Sequence, residues 1–411
     1  MAILKCRACN FSNLKRFLEL GNIPPVNAFI DEKDIKNEKF YPLNLSYCSN
    51  CLLVQIEEVV NPDELFSNYL HLSSGSQSNI NHLQEVADVI KNKYTIDKST
   101  KILEIGSNDG TLLEFLKNHG FQVLGIDPAK NLIEISAHKG VETLPIFFNT
   151  KSATEIENSK GKFNLVVALN VIPHTPEVVD LLKGVRQILA EKGTLIMEGA
   201  YAIETILKGE FDTIYHEHVY SFSLHSLINT FRLAGLKIID VEKISTQGGS
   251  LRIFAQDEFC ASKVSNSVRN LLDEEKKIGL NNSKIYDSVD HKVKQFKDNL
   301  NKLIKSEKIL AGKSLVGIGA PARGVVILNY CSIGTEDISY IIDDTPLKQG
   351  KVSPGTHIPI RSWEELNKNP SKSFILLSWN YKNHLIDRLK KQIPSARIIV
   401  PFPRLGVESF D

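Results

Sequence analysis

The chain has no excess of charge of either sign and no long apolar run. Its 411 residues include 49 basic and 48 acidic side chains, which leaves a formal net charge of +1. This balance gives no reason to expect a nucleic-acid or membrane-surface partner. No apolar run approaches the roughly 20 residues that span a bilayer, and the start, MAILKCRACN, lacks the apolar core of a signal peptide. We therefore expect a cytoplasmic protein.

Cysteine is scarce, but four of the six cysteines form two C-x-x-C pairs: Cys6 and Cys9 in CRAC, Cys48 and Cys51 in CSNC. In a reducing compartment such pairs favour a metal over disulfides, and four thiolates complete a tetrahedral zinc site. A redox pair or a coincidence is the alternative. A closed site has no open coordination position, so Zn²⁺ is expected to be structural and to hold a small module with little core of its own.

The length predicts two or three domains, and no low-complexity segment interrupts the chain. Residues 1–66 are predicted to form the zinc-binding module. Strand-like and helix-like segments then alternate in residues 67–256, as in KILEIG, TLLEFLKNHG and QVLGID, which predicts a parallel sheet with helices on both faces. The same signals restart at KSLVGIGAPARG, so residues 257–411 are predicted to contain a second α/β domain.

The segment EIGSNDG opens a helix after the first strand of the middle part, as a dinucleotide-binding loop does. Gly106 matches the first glycine of G-x-G-x-x-G, but Asn108 replaces the second and Gly110 falls one residue short of the third. The second glycine lets a pyrophosphate approach the backbone. Glu104 and Asp109 add negative charge that would repel a phosphate and attract a cation.

S-adenosylmethionine, which carries a sulfonium and an ammonium group and no phosphate, fits this loop better than NAD does. Asp127 ends the second strand, about 20 residues after the loop, where an acidic side chain binds ribose hydroxyls. A tight turn without a ligand is the remaining alternative. We assign five residues to the cofactor site: Glu104, Gly106, Asn108, Gly110 and Asp127.

Histidines follow the next two strands. His174 lies in NVIPHTPEVVD, just past a strand's carboxyl end, where open α/β sheets bind ligands. The segment YHEH, residues 215–218, could be a metal site, a solvated turn or an acid/base site. We favour acid/base chemistry, because histidine titrates near neutrality and a neighbouring carboxylate orients it. If Tyr215, Glu217 and His218 share one pocket, the segment must be a turn, since successive strand residues face opposite sides.

The ordered motifs resemble those of the three-domain, S-adenosylmethionine-dependent sugar C-methyltransferases that make branched deoxysugars. The resemblance covers nearly the whole chain, through both C-x-x-C pairs, ILEIGSNDGTLL, NVIPHTPE, YHEH, APARGVVILNYC, IIDDTPLKQGKVSPGTHIPI and LLSWNY. It implies an α/β fold in which a class I methyltransferase Rossmann-like domain is flanked by a small zinc-binding module and a C-terminal Rossmann-like domain. The implied reaction methylates C3 of a nucleotide-linked 4-keto-6-deoxyhexose through an enolate.

The resemblance also implies residue roles. His218 is the expected base for the C3 proton, and Tyr215, Glu217 and His174 line the site and stabilise or relay charge. Tyr69, in NYLHLSSGS, corresponds to a tyrosine near the sugar pocket. The chemistry agrees with these roles, because an enolate forms only if hydrogen-bond donors meet the ketone oxygen.

Three further residues are assigned. Asn170, at the start of NVIPHTPE, joins the cofactor site, and Arg323 and Lys348 could meet a diphosphate. The resemblance suggests that the C-terminal domain holds the nucleotide of the substrate, and the alternative is that both cations are surface charges. An O- or N-methyltransferase and a non-catalytic binding scaffold stay open as functions. We expect S-adenosylmethionine, structural Zn²⁺ and a nucleotide-linked keto-deoxysugar as ligands, no nucleic-acid or membrane partner, and a monomer or weak dimer.

Overall fold

The computed structural model describes residues 5–67, 69, 72–94 and 99–411, apart from the side chain of residue 247. Its strands form three separate sheets. In chain order, the strands are β1 (Leu14–Ile23), β2 (Tyr41–Cys48), β3 (Val54–Ile56), β4 (Lys101–Ile105), β5 (Gln122–Ile126), β6 (Thr143–Leu144), β7 (Phe163–Leu169), β8 (Leu189–Ala200), β9 (Tyr220–Ser221), β10 (Leu236–Ile244), β11 (Ser250–Asp257), β12 (Leu315–Ile318), β13 (Ile338–Ile342), β14 (Ile360–Arg361), β15 (Ser373–Leu376), β16 (Ala396–Val400) and β17 (Gly406–Phe410).

Helices connect most of these strands. The α-helices are α1 (Pro62–Phe66), α2 (Gln77–Lys93), α3 (Thr111–Asn118), α4 (Lys130–His138), α5 (Thr150–Lys160), α6 (Val178–Ile188), α7 (Ala202–Lys208), α8 (Leu224–Leu233), α9 (Asn266–Ile278), α10 (Ser283–Ala311), α11 (Ala322–Cys331), α12 (Glu365–Lys368) and α13 (Lys382–Lys390). In the described ranges, no helix combines the length and the apolarity that a bilayer crossing requires.

The middle sheet has the order β10-β11-β8-β7-β4-β5-β6, and β4 to β8 run parallel. Strand β4 is buried along almost its whole length, as expected for a parallel strand covered on both faces. The chain moves outward from β4 to β6 and then returns to place β7 on the other side of β4. This reversal creates a crevice at the carboxyl ends of β4 and β7, where open α/β sheets bind ligands.

One edge of the middle sheet departs from the predicted parallel arrangement. Strand β11 runs antiparallel to both β8 and β10. The connection between β10 and β11 is only residues 245–249. A parallel pair needs a crossover of a dozen or more residues, so this short connection forces an antiparallel hairpin.

The N-terminal sheet is antiparallel and has the order β1-β2-β3-β9. Its last strand comes from far along the chain: Gln55 pairs with Tyr220, and Val54 pairs with Ser221. The segment after YHEH therefore completes the sheet that carries the cysteines, and this contact joins the two parts of the molecule at the site.

The C-terminal sheet has the order β14-β13-β12-β15-β16-β17, and all of its pairs are parallel except β16 with β17. It confirms the second α/β unit that the sequence predicts. Helix α10 packs against β1, α7 and β12. Its buried side includes Val289, Val293, Leu300 and Ile304, so one hydrophobic cluster extends through all three sheets.

Candidate active site

A cavity of about 1110 Å³ lies where the three sheets meet. Its wall includes the loop after β4, the ends of β5 and β7, the YHEH segment, Asn27, and the loops after β12 and β13. Single drug-sized ligands occupy pockets of about 300–1,000 Å³, so this cavity has room for more than one small molecule. The structure thus brings the predicted cofactor and histidine motifs to one place.

The loop after β4 requires its first glycine. Gly106 has φ +71°, and a Cβ there would lie 2.2 Å from Cγ2 of Val171, two residues after the end of β7. The N–H of Gly106 donates to the Ile126 carbonyl (2.7 Å), which ties the loop to β5. Gly110, with φ +75°, precedes the first turn of α3. The sequence therefore identified a loop that must approach its neighbours closely.

Asp127 lies at the end of β5 and lines the cavity. Its Oδ2 accepts the N–H of Asn108 (2.8 Å), and its Oδ1 accepts the N–H of Ala129 (2.9 Å). Burial raises the pKa of this carboxyl, and the two backbone donors oppose the rise. Each oxygen keeps a further lone pair, so the predicted contact with two ribose hydroxyls fits the geometry.

Glu104 provides the clearest mark of a cationic ligand. Its side chain is buried in the cavity wall, and Oε2 has no hydrogen-bond partner among the described residues. Burial raises the pKa of Glu104 far above its usual range, and the charges of Asp109 and Asp127 raise it further. Asp109 is already paired with Lys139 (3.3 Å). A sulfonium and an ammonium group would supply the missing positive charge, so these residues fit S-adenosylmethionine.

Asn108 and Asn170 also lie at the cofactor crevice, and both line the cavity. The Asn108 side chain accepts the N–H of Ser73 (2.8 Å), and Asp109 accepts that of Ser74 (2.9 Å). These bonds hold the turn Ser73–Gly75 over the glycine loop, a role the sequence did not indicate. Asn170 follows β7 with φ +56°, and its N–H donates to the Glu198 carbonyl (2.9 Å).

The YHEH segment is a turn, as predicted. Residues 215–217 form a bend and turn, and the N–H of His218 donates to the Tyr215 carbonyl (2.8 Å). His218 Nδ1 lies 2.7 Å from the Thr213 carbonyl, which can only accept, so Nδ1 carries the hydrogen. The Tyr215 hydroxyl therefore donates to Nε2 of His218 (2.7 Å). Burial lowers the pKa of His218 to about 4, so the ring is neutral at pH 7.

His174 lies beside this pair, on the short helix Ile172–His174. Its ring is 4.9 Å from that of His218 and stacks at 5.6 Å on Phe66. Burial holds the pKa of His174 well below its usual range, and His218 lowers it further. Nε2 of His174 is buried without a hydrogen-bond partner among the described residues, and the side chain lines the cavity.

Glu217 points to a different set of partners. It accepts hydrogen bonds from Nδ2 of Asn27 (2.6 Å) and from the Tyr69 hydroxyl (3.3 Å), both of which line the cavity. Burial raises the pKa of Glu217 to about 7, although these bonds and Lys348 lower it. The carboxylate therefore does not contact the His218 ring as its orienting partner. The Thr213 carbonyl does so instead.

His216 has no place in this chemistry. The side chain is buried, and Nε2 donates to the Pro42 carbonyl (3.3 Å). Its ring packs edge-on against Tyr41 at 5.9 Å. His216 therefore anchors the turn on the N-terminal sheet.

The two predicted diphosphate ligands, Arg323 and Lys348, both line the cavity. The Arg323 guanidinium is nevertheless engaged by protein: it binds both oxygens of Asp212 at 3.0 Å and stacks on Trp379 at 4.4 Å. Lys348 donates to the Ala320 carbonyl (2.8 Å), and burial lowers its pKa. Lys348 is thus the better placed of the two for an anion.

Asn27, Asp212 and Thr213 belong to the site and were missed by sequence analysis. Asn27 meets Glu217 across 190 residues, and Asp212 meets Arg323 across 111. Thr213 acts through its carbonyl, which every residue has. No sequence pattern marks such contacts, although the nearness of Thr213 to YHEH offered a weak signal.

The four paired cysteines form a closed cluster beside β2. Sγ of Cys6 lies 3.6 Å from that of Cys51, and Sγ of Cys9 lies 3.6 Å from that of Cys48. Four thiolates about 2.3 Å from one zinc ion stand about 3.8 Å apart, which matches these distances. Among the described residues, this is the one group of His, Cys, Asp or Glu side chains that converges in this way. His216 and His218 of YHEH do not belong to this group, and Nε2 of each is engaged in a hydrogen bond.

Three family models match consecutive parts of the chain. The model described as "Putative zinc binding domain" matches residues 6–66, "Methyltransferase domain" matches 80–241, and "C-methyltransferase C-terminal domain" matches 245–403.

Known proteins match the chain at two levels. The chain is 33% identical over 407 residues to the C-methyltransferase NovU of Streptomyces niveus, covering 98% of this chain and 97% of that protein. A ubiquinone biosynthesis O-methyltransferase of Azorhizobium caulinodans is 28% identical over 101 residues, 24% of this chain and 40% of that protein. The solved magnesium protoporphyrin IX methyltransferase of Synechocystis PCC 6803 with bound SAM has 16% identity and a TM-score of 0.33, over 43% of this chain and 80% of that chain.

The match to NovU extends over all three sheets, and the three models follow in the order that the motifs predict. The family expected from the motifs is thereby confirmed, as are its cofactor and its zinc-binding module. The chain belongs to the S-adenosylmethionine-dependent C-methyltransferases that carry an N-terminal zinc-binding domain.

Proposed function

We propose that the protein methylates C3 of a nucleotide-linked 4-keto-6-deoxyhexose through an enolate, in branched deoxysugar biosynthesis. The observation that carries the proposal is the hydrogen-bonded chain from Tyr215 through His218 to the Thr213 carbonyl, on the wall of the cavity that also contains the glycine loop. A neutral imidazole that is held in one orientation can accept a proton. Tyr215, whose hydroxyl donates to this imidazole, lines the same cavity.

The C3 proton passes to His218 through Tyr215. As the C3–H bond breaks, the Tyr215 oxygen takes the proton and gives its own to Nε2 of His218, while the electron pair moves into the enolate. The Nδ1–H bond to Thr213 keeps Nε2 as the accepting nitrogen throughout. General-base help of this kind contributes about 10²–10⁴-fold to the rate.

The enolate oxygen needs a donor, and His174 supplies it. Its Nε2 is buried beside the His218 ring and lacks a partner among the described residues, as expected for an N–H group that meets the substrate oxygen. Tyr69 lines the neighbouring part of the cavity, and its hydroxyl donates to Glu217.

Bound S-adenosylmethionine supplies an electrophilic methyl group. Glu104 would face the positive charge of this cofactor, Asp127 would bind its ribose hydroxyls, and the loop of Gly106, Asn108 and Gly110 would form the adjoining wall. Lys348 contacts the diphosphate of the sugar nucleotide. Residues that hold the sugar and the cofactor side by side in this cavity would add an orientation term to the rate.

Hydrogen exchange at C3 tests this mechanism. Nucleotide-linked 4-keto sugars are incubated in D₂O with the protein and S-adenosylhomocysteine, and mass spectrometry follows deuterium at C3. Exchange is expected for the wild type and should fall about 10²–10⁴-fold in both Tyr215→Phe and His218→Asn. Tyr286→Phe, which changes a buried tyrosine in the stack with Tyr47, is the matched control and should exchange normally.

The alternatives give other results. Exchange that persists in Tyr215→Phe but not in His218→Asn would show that the imidazole acts directly. Methyl transfer that retains the C3 hydrogen would identify an O- or N-methyltransferase. If no nucleotide-linked 4-keto sugar is methylated when S-adenosylmethionine is supplied, the proposal is contradicted and a non-catalytic scaffold is favoured.

A further inference from the structure

The segment that precedes YHEH is held in place by residues from the C-terminal part of the chain. The short helix Phe211–Thr213 packs against α11. Phe211 is fully buried, and its ring lies 5.4 Å from Phe296, 5.1 Å from Tyr330 and 6.1 Å from Phe402. This aromatic cluster fixes the start of the segment that ends in YHEH.

Asp212 strengthens the same contact with three charge-assisted hydrogen bonds. Nε and Nη2 of Arg323 bind its two oxygens at 3.0 Å each, and the Trp379 indole donates to Oδ2 at 2.7 Å. Asp212 is completely buried and Arg323 is 7% exposed. Two parallel bonds from a planar guanidinium fix direction as well as distance, which a point charge cannot do.

The residue after Asp212 completes the connection to the base. Thr213 presents its carbonyl to Nδ1 of His218 at 2.7 Å. Its own hydroxyl donates to the Glu210 carbonyl (3.1 Å) and lies 3.1 Å from that of Thr205. The carbonyl that selects the His218 tautomer therefore belongs to the residue that follows Asp212, whose carboxylate accepts three hydrogen bonds.

We propose that Asp212, Arg323 and Trp379 are positioning residues for His218. They hold the Thr213 carbonyl where it accepts the Nδ1 hydrogen, and so they keep Nε2 available as the acceptor. The inference rests on the proposed function, because it assumes that His218 is the base. It assigns Arg323 to positioning the base instead of binding the diphosphate. The C-terminal part of the chain then supports His218 and also lines the substrate pocket.

Arg323→Lys tests the inference, because lysine keeps the charge but cannot make the paired bonds. We expect kcat to fall by about 10- to 100-fold, since a displaced catalytic group costs up to about 10²-fold, with KM for the nucleotide sugar nearly unchanged. Trp379→Phe keeps an aromatic ring and removes one donor, so a smaller fall in kcat is expected. If Arg323→Lys does not fold, Trp379→Phe is used as the test of the inference.

Arg397→Lys is the matched control. Arg397 also makes two parallel bonds to a buried carboxylate, Glu307, at 2.8 and 2.7 Å. It connects β16 to α10 and should leave kcat unchanged. A rise in KM at unchanged kcat in Arg323→Lys would identify a diphosphate ligand instead. A fall in kcat no larger than that of Arg397→Lys would overturn the inference.

A spectrum of ¹⁵N-labelled histidine separates this inference from the proposed function, because it needs no substrate. The His218 signal, identified by its loss in His218→Asn, should show the Nδ1–H tautomer in the wild type and in Arg397→Lys. In Arg323→Lys and Trp379→Phe it should move toward a mixture of tautomers. An unchanged His218 signal in both would refute the positioning role, whatever the enzyme methylates.

Discussion

Glu217 and His218 are chain neighbours whose pKa values move in opposite directions for one reason. Glu217 is buried and His218 is largely enclosed in the cavity wall, and burial disfavours the charged form of each. It raises the pKa of Glu217 to about 7 and lowers that of His218 to about 4. Near pH 6 both groups are therefore neutral in the folded, ligand-free protein, and the histidine can act as a base.

The pH dependence of stability should reveal the buried carboxyl. An unfolded Glu217 ionises near 4.5, whereas the folded group holds its proton to about 7. Its stabilising contribution is present below pH 4.5 and is lost as the pH rises toward 7. We expect the free energy of unfolding of the wild type, relative to Glu217→Gln, to fall by about 3 kcal/mol over that range.

Urea unfolding at several pH values measures this difference. His218 contributes with the opposite sign, because its lowered pKa removes stability as the pH falls from 6.5 toward 4. It is present in both proteins, so its contribution cancels. A difference that stays constant from pH 4.5 to 7 would mean that folding leaves the pKa of Glu217 unchanged.

At the scale of elements, the glycine loop after β4 is shaped by its neighbours. Two glycines of the chain have similar positive φ values and different surroundings. Gly106 (φ +71°) would place a Cβ against Val171, whereas Gly279 (φ +81°), at the end of α9, has nothing within 4 Å of that position. Comparison of the two positions separates the free-energy cost of placing alanine at positive φ from the cost of a steric clash with Val171.

Alanine at these two positions should therefore have different effects. Gly279→Ala is expected to lower the free energy of unfolding by about 1–2 kcal/mol, the cost of positive φ, and to leave binding of S-adenosylmethionine unchanged. Gly106→Ala should lose more stability and weaken that binding, because the loop must move away from β7. Denaturation and titration calorimetry measure both. Equal effects of the two variants would mean that the contact with Val171 relaxes freely.

At the scale of the whole molecule, the zinc-binding part is connected to the active site. Strand β2 ends at Cys48, β2 pairs with β3, and β3 pairs with β9 directly after YHEH. Asn27, from the same N-terminal part, binds Glu217. A metal without an open coordination position can therefore still be needed for turnover.

Cys48→Ser should lose the metal and the activity together. We expect loss of the bound zinc, measured by elemental analysis, and a fall in turnover of about 10²-fold or more, since the turn around His218 loses its support. Binding of S-adenosylmethionine should persist, because Asp127 and the glycine loop belong to the middle sheet. Cys260→Ser, outside the cluster, is the control. A zinc-free variant with normal turnover would contradict this connection.

The sequence by itself determined the features that depend on neighbouring residues. The cysteine spacing, the alternation of strands and helices, the glycine loop with Asp127, and the turn at YHEH all follow from local patterns, and the structure contains each of them. The domain limits at residues 66 and 256 and the residue roles stay predictions. A local pattern suffices here because covalent spacing and backbone preference act over a few positions.

Only the tertiary structure decided which side chains meet. Arg323 has the charge for a diphosphate, yet packing places it against Asp212, and a buried guanidinium takes the carboxylate it can reach. Glu217 lies beside His218 in the chain but accepts a hydrogen bond from Asn27, whereas the His218 ring hydrogen-bonds to Tyr215 and to the Thr213 carbonyl. The histidine is instead oriented by a backbone carbonyl, a group that every residue carries. Partners of buried polar groups are chosen by distance in the fold, and residue type alone does not reveal them.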